Sequence, residues 1–177
     1  MSPDRDVALP ARRARSGPVR HWIAFFGLAA AIVVADQVAK AWIVGSFELG
    51  RPVAVLGDLV RIWYVHNSGA LFGMFRDQAL LFAGASIAVI GLIVWYHGHA
   101  LASSGWLATL ALGLLLGGAG GNLIDRVRFG YVVDFVDMGI GSWRFYTYNV
   151  ADSAISASIL LLLLMALVPR RGPATPG

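Results

Sequence analysis

The chain has 177 residues, of which 58% are hydrophobic and 14% are charged. Since an ordinary soluble domain is roughly 45–50% apolar and about 25% charged, this composition excludes a typical soluble fold and predicts a single membrane domain. The formal net charge of +4 comes mostly from the first twenty residues, so it predicts a membrane anchor and not a nucleic-acid site, and the absence of cysteine excludes a disulfide framework and a thiol nucleophile.

The first predicted element is a basic tail, residues 1–20, which is followed by a membrane span from residue 22 to about residue 44. We expect the tail to be disordered and, by the positive-inside rule, to stay in the cytoplasm. The same pattern also fits a cleavable signal peptide that ends near Ala35. Cleavage there would leave three spans and would strand Asp36 and Lys40 at a new N-terminus.

Asp36 and Lys40 lie four residues apart in the second half of this span, with the acid first. That order favours an ion pair on one helical face. A charge in the middle of a membrane helix costs about 2.5–3.5 kcal/mol on insertion scales, so the pair should either hold the helix at the interface or face a polar interior. Both interpretations stay open at this point.

The first outer loop, residues 45–79, contains the segment VAVLGDLVRIWYV, in which β-branched and aromatic residues flank a Gly-Asp turn. This pattern predicts a β-hairpin. The segment HNSGALFGMF follows, and its glycines indicate bends that turn Leu71, Phe72, Met74 and Phe75 towards lipid. We therefore expect a small sheet and an interfacial segment in this loop.

Residues 78–124 contain no Asp, Glu, Lys or Arg, which predicts two spans joined by a short turn at HGHALASSG. The second of these spans ends in GLLLGGAGGNLIDR. Its glycine spacing favours close helix packing of the GxxxG kind, although missing side chains would also let another group approach the backbone. A fourth span runs from about residue 151 to residue 168. The predicted membrane domain is thus 21–168, with outer loops 45–79 and 120–151 and a cytoplasmic tail 169–177.

Most of the acids lie near the predicted outer side of the membrane, and four of them are Asp125, Asp134, Asp137 and Asp152. Two carboxyl groups that share a site cannot both ionise, so such a pair keeps one proton and can activate a water molecule for amide hydrolysis. The alternative is a transporter or channel in which the acids form a proton or cation path. Such a path should spread the acids across the membrane, whereas residues 78–124, which form most of the second and third spans, carry none.

Each of these acids also has a purely structural interpretation. Asn149 and Asp152 are spaced as the N-cap and the third residue of a helix, which predicts a variant of the capping box. Asp125 next to Arg126 indicates an ion pair. Asp134 lies in the apolar segment YVVDFV, which reads as a strand, and alternation places its side chain on the opposite face from its two apolar neighbours. An acid in that position needs a partner.

Four segments, ADQVAK, HNSGALFGMF, GGAGGNLIDRVRFGYVVDF and YNVADSAI, resemble in sequence and order the motifs of the lipoprotein signal peptidases, also called signal peptidase II. The resemblance covers about residues 22–168. Its departures are mild: Ser68 stands where many members have Thr, Gly120 where a larger residue is common, and Tyr148 where Phe is usual. The resemblance implies a mainly α membrane protein with four transmembrane helices, and with a small periplasmic β-sheet and an interfacial helix in the first outer loop.

The resemblance also implies an activity, that of an aspartyl endopeptidase of the bacterial cytoplasmic membrane. Such enzymes remove the signal peptide of a prolipoprotein on the amino side of a cysteine that carries diacylglycerol. The implied catalytic pair is Asp134 and Asp152, and Asp125 matches a further important acid that the motifs leave open as a catalytic member. Seven residues match positions that line or support the substrate site: Asp36, Lys40, Asn67, Asn122, Arg126, Asn149 and Ala151.

The expected partners are diacylglyceryl-modified prolipoproteins and membrane lipids, and the protein is expected to act as a monomer. We expect no metal and no cofactor, because four scattered histidines have no metal-ligand spacing and water activation by two acids needs neither.

Overall fold

The computed structural model describes residues 18–68, 79–100 and 105–167. Its helices and strands follow in the order α1 Pro18–Ser46, β1 Pro52–Leu56, β2 Val60–Asn67, α2 Ala79–Ala100, α3 Trp106–Phe129, β3 Val132–Ile140, β4 Trp143–Arg144 and α4 Val150–Leu167. All four helices are long and apolar enough to cross a membrane. They confirm the four spans that hydropathy predicts.

The central helix of the bundle is α3, on which the other three helices pack. Of its most apolar 18-residue stretch 56% is buried, against 17% for each of the other helices. Glycine makes this close packing feasible. A Cβ on Gly117 would lie 2.8 Å from the carbonyl oxygen of Ala29 in α1, and a Cβ on Gly118 would lie 2.5 Å from that of Ala151 in α4. The glycine-rich segment therefore packs against two neighbouring helices, as its spacing predicts.

One stripe of α1 faces the bundle, and its character changes along the helix. In the first half, Phe25 and Ala29 pack against buried apolar side chains of α2 and α3. In the second half, the charged residues Asp36 and Lys40 are buried, and the apolar Ile43 follows them. The buried charges of α1 therefore lie in its second half, between two apolar clusters.

The sheet is built from both outer loops and has the antiparallel order β1-β2-β3-β4. The β1–β2 hairpin confirms the prediction for the first outer loop, and β3 confirms the strand-like interpretation of the segment around Asp134. The pairing of β2 with β3 was not predicted, and it extends the sheet beyond the first loop. Because of it, residues from two separate loops lie side by side.

The register between β2 and β3 changes at a bulge. Arg61 lies opposite Asp137 and Ile62 opposite Val136, but the next aligned pair is Val65 with Asp134. The strand β2 thus has one residue more than β3 between these pairs. The sheet packs on the C-terminal end of α1 through an apolar cluster that consists of Ile43, Tyr64, Val133 and Phe135.

A glycine cap sets the connection from α3 to the sheet. Gly130 has the left-handed φ of 77°, and its backbone N–H donates to the carbonyl oxygen of Arg126 at 3.1 Å. Such a cap ends a helix sharply, because glycine adopts this conformation without a steric penalty. The chain enters β3 two residues later, which places Asp134 close to the end of α3.

Several predicted segments lie outside the described residues. They include most of both tails and, in the first outer loop, residues 69–78, where the interfacial helix with Leu71, Phe72, Met74 and Phe75 is expected. In the turn predicted between the second and third spans, His97 to Ala100 belong to α2 and residues 101–104 lie outside the described part. The interfacial helix and the disorder of residues 1–17 and 169–177 stay predictions, whereas residues 18–20 of the predicted disordered tail belong to α1.

Candidate active site

Asp134 and Asp152, the expected catalytic pair, lie on different elements and are joined by Asn149. Asp134 is the third residue of β3 and is 1% exposed, and Asp152 is the third residue of α4. The Nδ2 of Asn149 donates to Oδ1 of Asp134 at 2.7 Å. Its Oδ1 accepts a hydrogen bond from the backbone N–H of Asp152 at 2.9 Å. One amide side chain therefore contacts both residues.

The start of α4 is a capping box that involves the same two residues. In addition to the bond from its own N–H, Asp152 accepts a hydrogen bond at Oδ2 from the backbone N–H of Asn149, at 3.3 Å. The predicted cap is confirmed. The second carboxylate oxygen of Asp152, Oδ1, accepts a hydrogen bond from Nδ2 of Asn122 at 2.7 Å. The Asp152 carboxylate therefore caps the helix with one oxygen and belongs to the polar site with the other.

Asp134 is a buried acid beside another acid, and this raises its pKa. Burial is the largest cause and the charge of Asp152 the second, while hydrogen bonds from Asn67 and Asn149 and the charge of Lys40 act in the opposite direction. Together they raise the pKa of Asp134 from 3.8 to about 7. Nδ2 of Asn67 donates to Oδ2 of Asp134 at 2.8 Å. This carboxyl group can therefore hold a proton near neutral pH.

A buried ion-pair cluster adjoins the two acids through Asn122. Nζ of Lys40 lies 2.7 Å from Oδ2 of Asp36 and 2.8 Å from Oδ2 of Asp125, and it donates to Oδ1 of Asn122 at 3.1 Å. Both carboxylates are fully buried. The predicted ion pair of Asp36 with Lys40 is confirmed. Of the two interpretations left open, the polar interior is the one that the structure supports.

Asp125 forms its ion pair with Lys40 and not with Arg126, so the predicted partner was wrong. The reason is that adjacent residues of a helix do not face each other, so Asp125 points into the bundle while Arg126 points elsewhere. Oδ1 of Asp125 also accepts from Gln37 at 2.8 Å, and Oδ2 accepts from the backbone N–H of Val133 at 3.0 Å. These contacts favour a supporting role in which Asp125 fixes the start of β3.

Gln37 is a residue of this cluster that the sequence analysis did not single out. Besides its bond to Asp125, Nε2 of Gln37 lies 3.3 Å from the carbonyl oxygen of Gly121 and 3.3 Å from Oδ2 of Asp36. The available signal was an amide side chain in an apolar span, next to Asp36 and close to Lys40. Such a group needs partners inside the bundle.

Exposure divides the predicted site residues into two groups. Asn67, Arg126 and Asp152 are at least partly exposed, so they can contact a substrate directly. The remaining ones are buried: Asp36, Lys40, Asn122, Asp125, Asp134, Asn149 and Ala151. Ala151 has no exposed surface, and its backbone N–H donates to Oδ1 of Asp36 at 3.0 Å. It therefore supports the start of α4 and does not line a surface.

Arg126 is a partly exposed cation close to both acids. Its Nη1 donates to the carbonyl oxygen of Asn122 at 3.4 Å, and its guanidinium carbon lies 5.8 Å from the centre of the Phe82 ring. The charges of Asp152 and Asp134 both act on it. A guanidinium in this position can bind a carbonyl or ester oxygen while it also stabilises negative charge on the pair.

A groove of about 480 Å³ opens beside Asp152. Its walls are mostly apolar and aromatic, and they include Met138, Phe145, Tyr148 and Ser153. The groove lies between the end of the sheet and the first turns of α4, and Asp152 is part of its lining.

Comparison with known proteins identifies the family. The family model described as signal peptidase (SPase) II matches residues 28–168. The chain belongs to the signal peptidase II family. The lipoprotein signal peptidase of Caulobacter vibrioides is 43% identical over 153 residues, which cover 81% of this chain and 85% of that protein. The lipoprotein signal peptidase of Moorella thermoacetica is 39% identical over 145 residues, which cover 82% and 93%.

Two solved structures of the same type agree with the fold. One is a bacterial membrane enzyme solved by the in meso method at 2.3 Å resolution; it has a TM-score of 0.73 and 29% identity, and the match covers 81% of this chain and 87% of that one. The other, solved by the same method at 1.9 Å, also has a TM-score of 0.73, with 28% identity and coverage of 82% and 94%.

Membership of the signal peptidase II family confirms the resemblance and makes this chain a multi-pass membrane protease. The stretch matched by the signal peptidase II model includes every candidate site residue from Asp36 to Asp152. The buried cluster, the two acids and the partly exposed Arg126 thus all belong to the part of the chain that the family model matches.

Proposed function

We propose that Asp134 and Asp152 are the catalytic dyad of an aspartyl endopeptidase that removes the signal peptide from diacylglyceryl-modified prolipoproteins. Cleavage takes place on the amino side of the lipidated cysteine, and a water molecule is the nucleophile. The proposal combines the family, whose relatives above are lipoprotein signal peptidases, with the geometry of the two acids.

The observation that carries the proposal is the network centred on Asn149. Its side chain contacts the Asp134 carboxylate and the backbone of Asp152, and the two acids interact strongly enough that Asp152 raises the pKa of Asp134. A carboxyl group with a pKa of about 7 beside a second carboxylate is the arrangement in which two acids share one proton. The pair can then act as acid and base in one step.

In the mechanism we propose, Asp134 begins with the proton and Asp152 begins as the carboxylate. Asp152 takes a proton from water while the water oxygen attacks the scissile carbonyl carbon, and Asp134 gives its proton to the carbonyl oxygen. The resulting gem-diol collapses when Asp152 gives its proton to the leaving nitrogen and Asp134 takes one back from a hydroxyl group. The C–N bond breaks, and the dyad regains its starting protonation.

The partly exposed Asn67 and Arg126 are placed to hold the scissile backbone. Each lies beside an acid of the pair, and each carries N–H donors that can bind a substrate carbonyl oxygen. The buried residues hold the dyad in place: Asp36 and Asp125 fix the backbone at the starts of α4 and β3. The buried residues thus make the site rigid, and only a few side chains are exposed to contact the substrate.

We place the site near the outer face of the bacterial cytoplasmic membrane, with both chain termini in the cytoplasm. The basis is the arginine-rich start of the chain and the positive-inside rule. This orientation stays a prediction, and reporter fusions at the two ends of the chain would test it.

The proposed dyad is tested by replacing each acid with its amide. Asp134→Asn and Asp152→Asn should each lower the cleavage rate by about 10⁴-fold or more, because neither variant can transfer both protons. The measurement is cleavage of a diacylglyceryl-modified precursor peptide by the purified protein in detergent. Asp58→Asn, which changes a half-exposed acid in the β1–β2 turn, is the matched control and should remain active. Substantial activity in either dyad variant would refute the assignment.

A further inference from the structure

A second carboxylate in β3, Asp137, is as little exposed as Asp134 but has no part in the proposed mechanism. It is 1% exposed and lies three residues after Asp134. Oδ2 of Asp137 accepts from Nε of Arg61 at 2.7 Å, and Oδ1 and Oδ2 accept from Nε of Arg144 at 2.8 and 3.0 Å. Both oxygens are therefore occupied by guanidinium groups.

These ion pairs keep Asp137 in its charged form. Burial acts to raise its pKa, but the hydrogen bonds from Arg144 and Arg61 and the charges of both groups outweigh burial and hold the pKa below its usual range. Arg61 and Arg144 are themselves mostly buried, with 23% and 14% of their side chains exposed. Paired charges with this little exposure are costly to separate, since each would be left without a partner in a poorly hydrated place.

The two arginines come from the two strands that flank β3 on either side. Arg61 lies in β2, directly opposite Asp137, and Arg144 lies in β4. We propose that Asp137 is a positioning residue for the dyad, because its ion pairs fix the two segments whose amide side chains hold the Asp134 carboxylate. The proposal rests on the dyad assigned under Proposed function.

The first of these two segments is β2, whose register relative to β3 matters for Asp134. Asn67, which donates to Asp134, belongs to β2, and the ladder between β2 and β3 is interrupted by the bulge between Ile62 and Val65. An interrupted ladder specifies register less firmly than a continuous one. The ion pair of Arg61 with Asp137 joins directly opposed residues next to the bulge, and so it supports the register that places Asn67 opposite Val132 and within reach of Asp134.

The second of the two segments is the connection from β4 to α4. Arg144 is the last residue of β4, and five residues later Asn149 donates to Asp134 and caps α4. Nη1 of Arg144 also donates to the backbone carbonyl oxygen of Asp58 at 3.0 Å, which ties the same side chain to the β1–β2 turn. Asp137 thus holds the strand that leads into the helix carrying the other acid of the dyad.

Replacing Asp137 should raise the pKa of Asp134, whereas the loss of a nearby negative charge by itself would lower that pKa. The hydrogen bonds from Asn67 and Asn149 lower the pKa of Asp134, so weakening them raises that pKa and moves the alkaline limb of the pH–rate profile to higher pH. Removing a negative charge nearby has the opposite effect, because it makes the remaining carboxyl group easier to ionise. The sign of the shift therefore distinguishes positioning from simple electrostatics.

The test measures kcat, KM and the pH–rate profile of Asp137→Asn with the lipidated precursor peptide. We expect kcat to fall by about tenfold to a hundredfold, as for a displacement of the reacting groups by about 1 Å, with KM changed less than kcat. We expect the alkaline limb to rise by about half a pH unit or more. Asp58→Asn is the matched control. The Asp58 carboxylate belongs to the same charge network through Arg61 and Arg144, but it does not bond to a side chain of β3. The alkaline limb of the Asp58→Asn profile should stay in place or move to lower pH.

A second variant covers the case in which Asp137→Asn does not fold. Arg61→Gln leaves Asp137 paired with Arg144 and should show the same upward shift to a smaller extent. An unchanged or lowered alkaline limb in the folded variants, or rates that fall only as the amount of folded protein falls, would overturn the positioning role. That result is separate from failure of the dyad, which would appear as activity in Asp134→Asn whatever Asp137→Asn does.

Discussion

The Asp134 carboxyl group is balanced between its two protonation states by a few named neighbours. Burial and the charge of Asp152 favour the neutral form, and the amides of Asn67 and Asn149 favour the charged form. The amide hydrogen bonds thus limit a shift that burial alone would make larger. This balance lets Asp134 hold a proton near neutral pH.

The same balance predicts how stability depends on pH. The folded protein holds the Asp134 proton up to about pH 7, whereas the unfolded chain loses it near 3.8. The Asp134 proton therefore stabilises the folded protein fully below pH 3.8, and this stabilisation is lost as the pH rises through about 7. Asparagine does not titrate, so Asp134→Asn has no such loss. As the pH rises from about 5 to about 8, its free energy of unfolding should increase by about 2–3 kcal/mol relative to that of the unchanged protein.

Thermal unfolding in detergent, followed by tryptophan fluorescence at several pH values, measures this difference. Asp58→Asn serves as the control, since Asp58 is half exposed. Curves of melting temperature against pH that run parallel for Asp134→Asn and the unchanged protein would contradict a raised pKa at Asp134.

At the residue scale, the sequence predicts those contacts that helical spacing determines. The ion pair of Asp36 with Lys40 and the capping box of Asn149 with Asp152 both join residues three or four apart, so local geometry alone specifies them. The pairing of Lys40 with Asp125 joins residues about half the chain apart and depends on how α1 and α3 pack. Helical spacing carries no information on such a partner.

Among the elements, α3 depends most closely on the small size of its residues. A Cβ on Gly121 would lie 2.6 Å from Oδ2 of Asp36 and 3.3 Å from the Cβ of Ala151. Gly121→Ala must therefore displace the carboxylate that binds Lys40 and the start of α4. We expect it to lower stability by about 1–3 kcal/mol, as overpacking does, and to lower kcat by about tenfold or more.

Gly91→Ala in α2 is the matched control, because nothing lies within 4 Å of a Cβ at that position. It should keep full activity and lose no stability, since alanine favours a helix more than glycine does. Melting temperatures and cleavage rates of the two variants test the comparison. If Gly121→Ala had the same melting temperature and cleavage rate as the unchanged protein, neither stability nor activity would depend on the observed position of Asp36.

Hydropathy and alternation predict the elements because both are local patterns. They give four spans and one hairpin, and they show that the segment around Asp134 is a strand. They do not give the pairing of β2 with β3, since strand partners are chosen by the packing of the helices that bring them together. For the same reason, the roles of Asp137, Arg61 and Arg144 emerge only from the folded sheet.

At the scale of the whole molecule, the acids lie at one end of a bundle whose surface is largely apolar. A substrate that carries acyl chains stays in the membrane plane at a fixed depth, because each buried CH₂ group contributes about 0.8 kcal/mol. We therefore expect the lipidated precursor peptide to be cleaved about 100-fold faster, or more, than the same peptide without lipid at low concentration. Equal rates for the two peptides would contradict a role for the lipid.

The sheet has a further consequence for how the protein is made. Its middle strands, β2 and β3, are separated in the chain by α2 and α3, which are two complete membrane crossings. During synthesis the first hairpin exists long before its partner strand, and Asn149 and Asp152 come later still. With the proposed dyad, a growing chain therefore lacks one of its two acids until α4 is made, and we expect cleavage activity only after the last span is inserted.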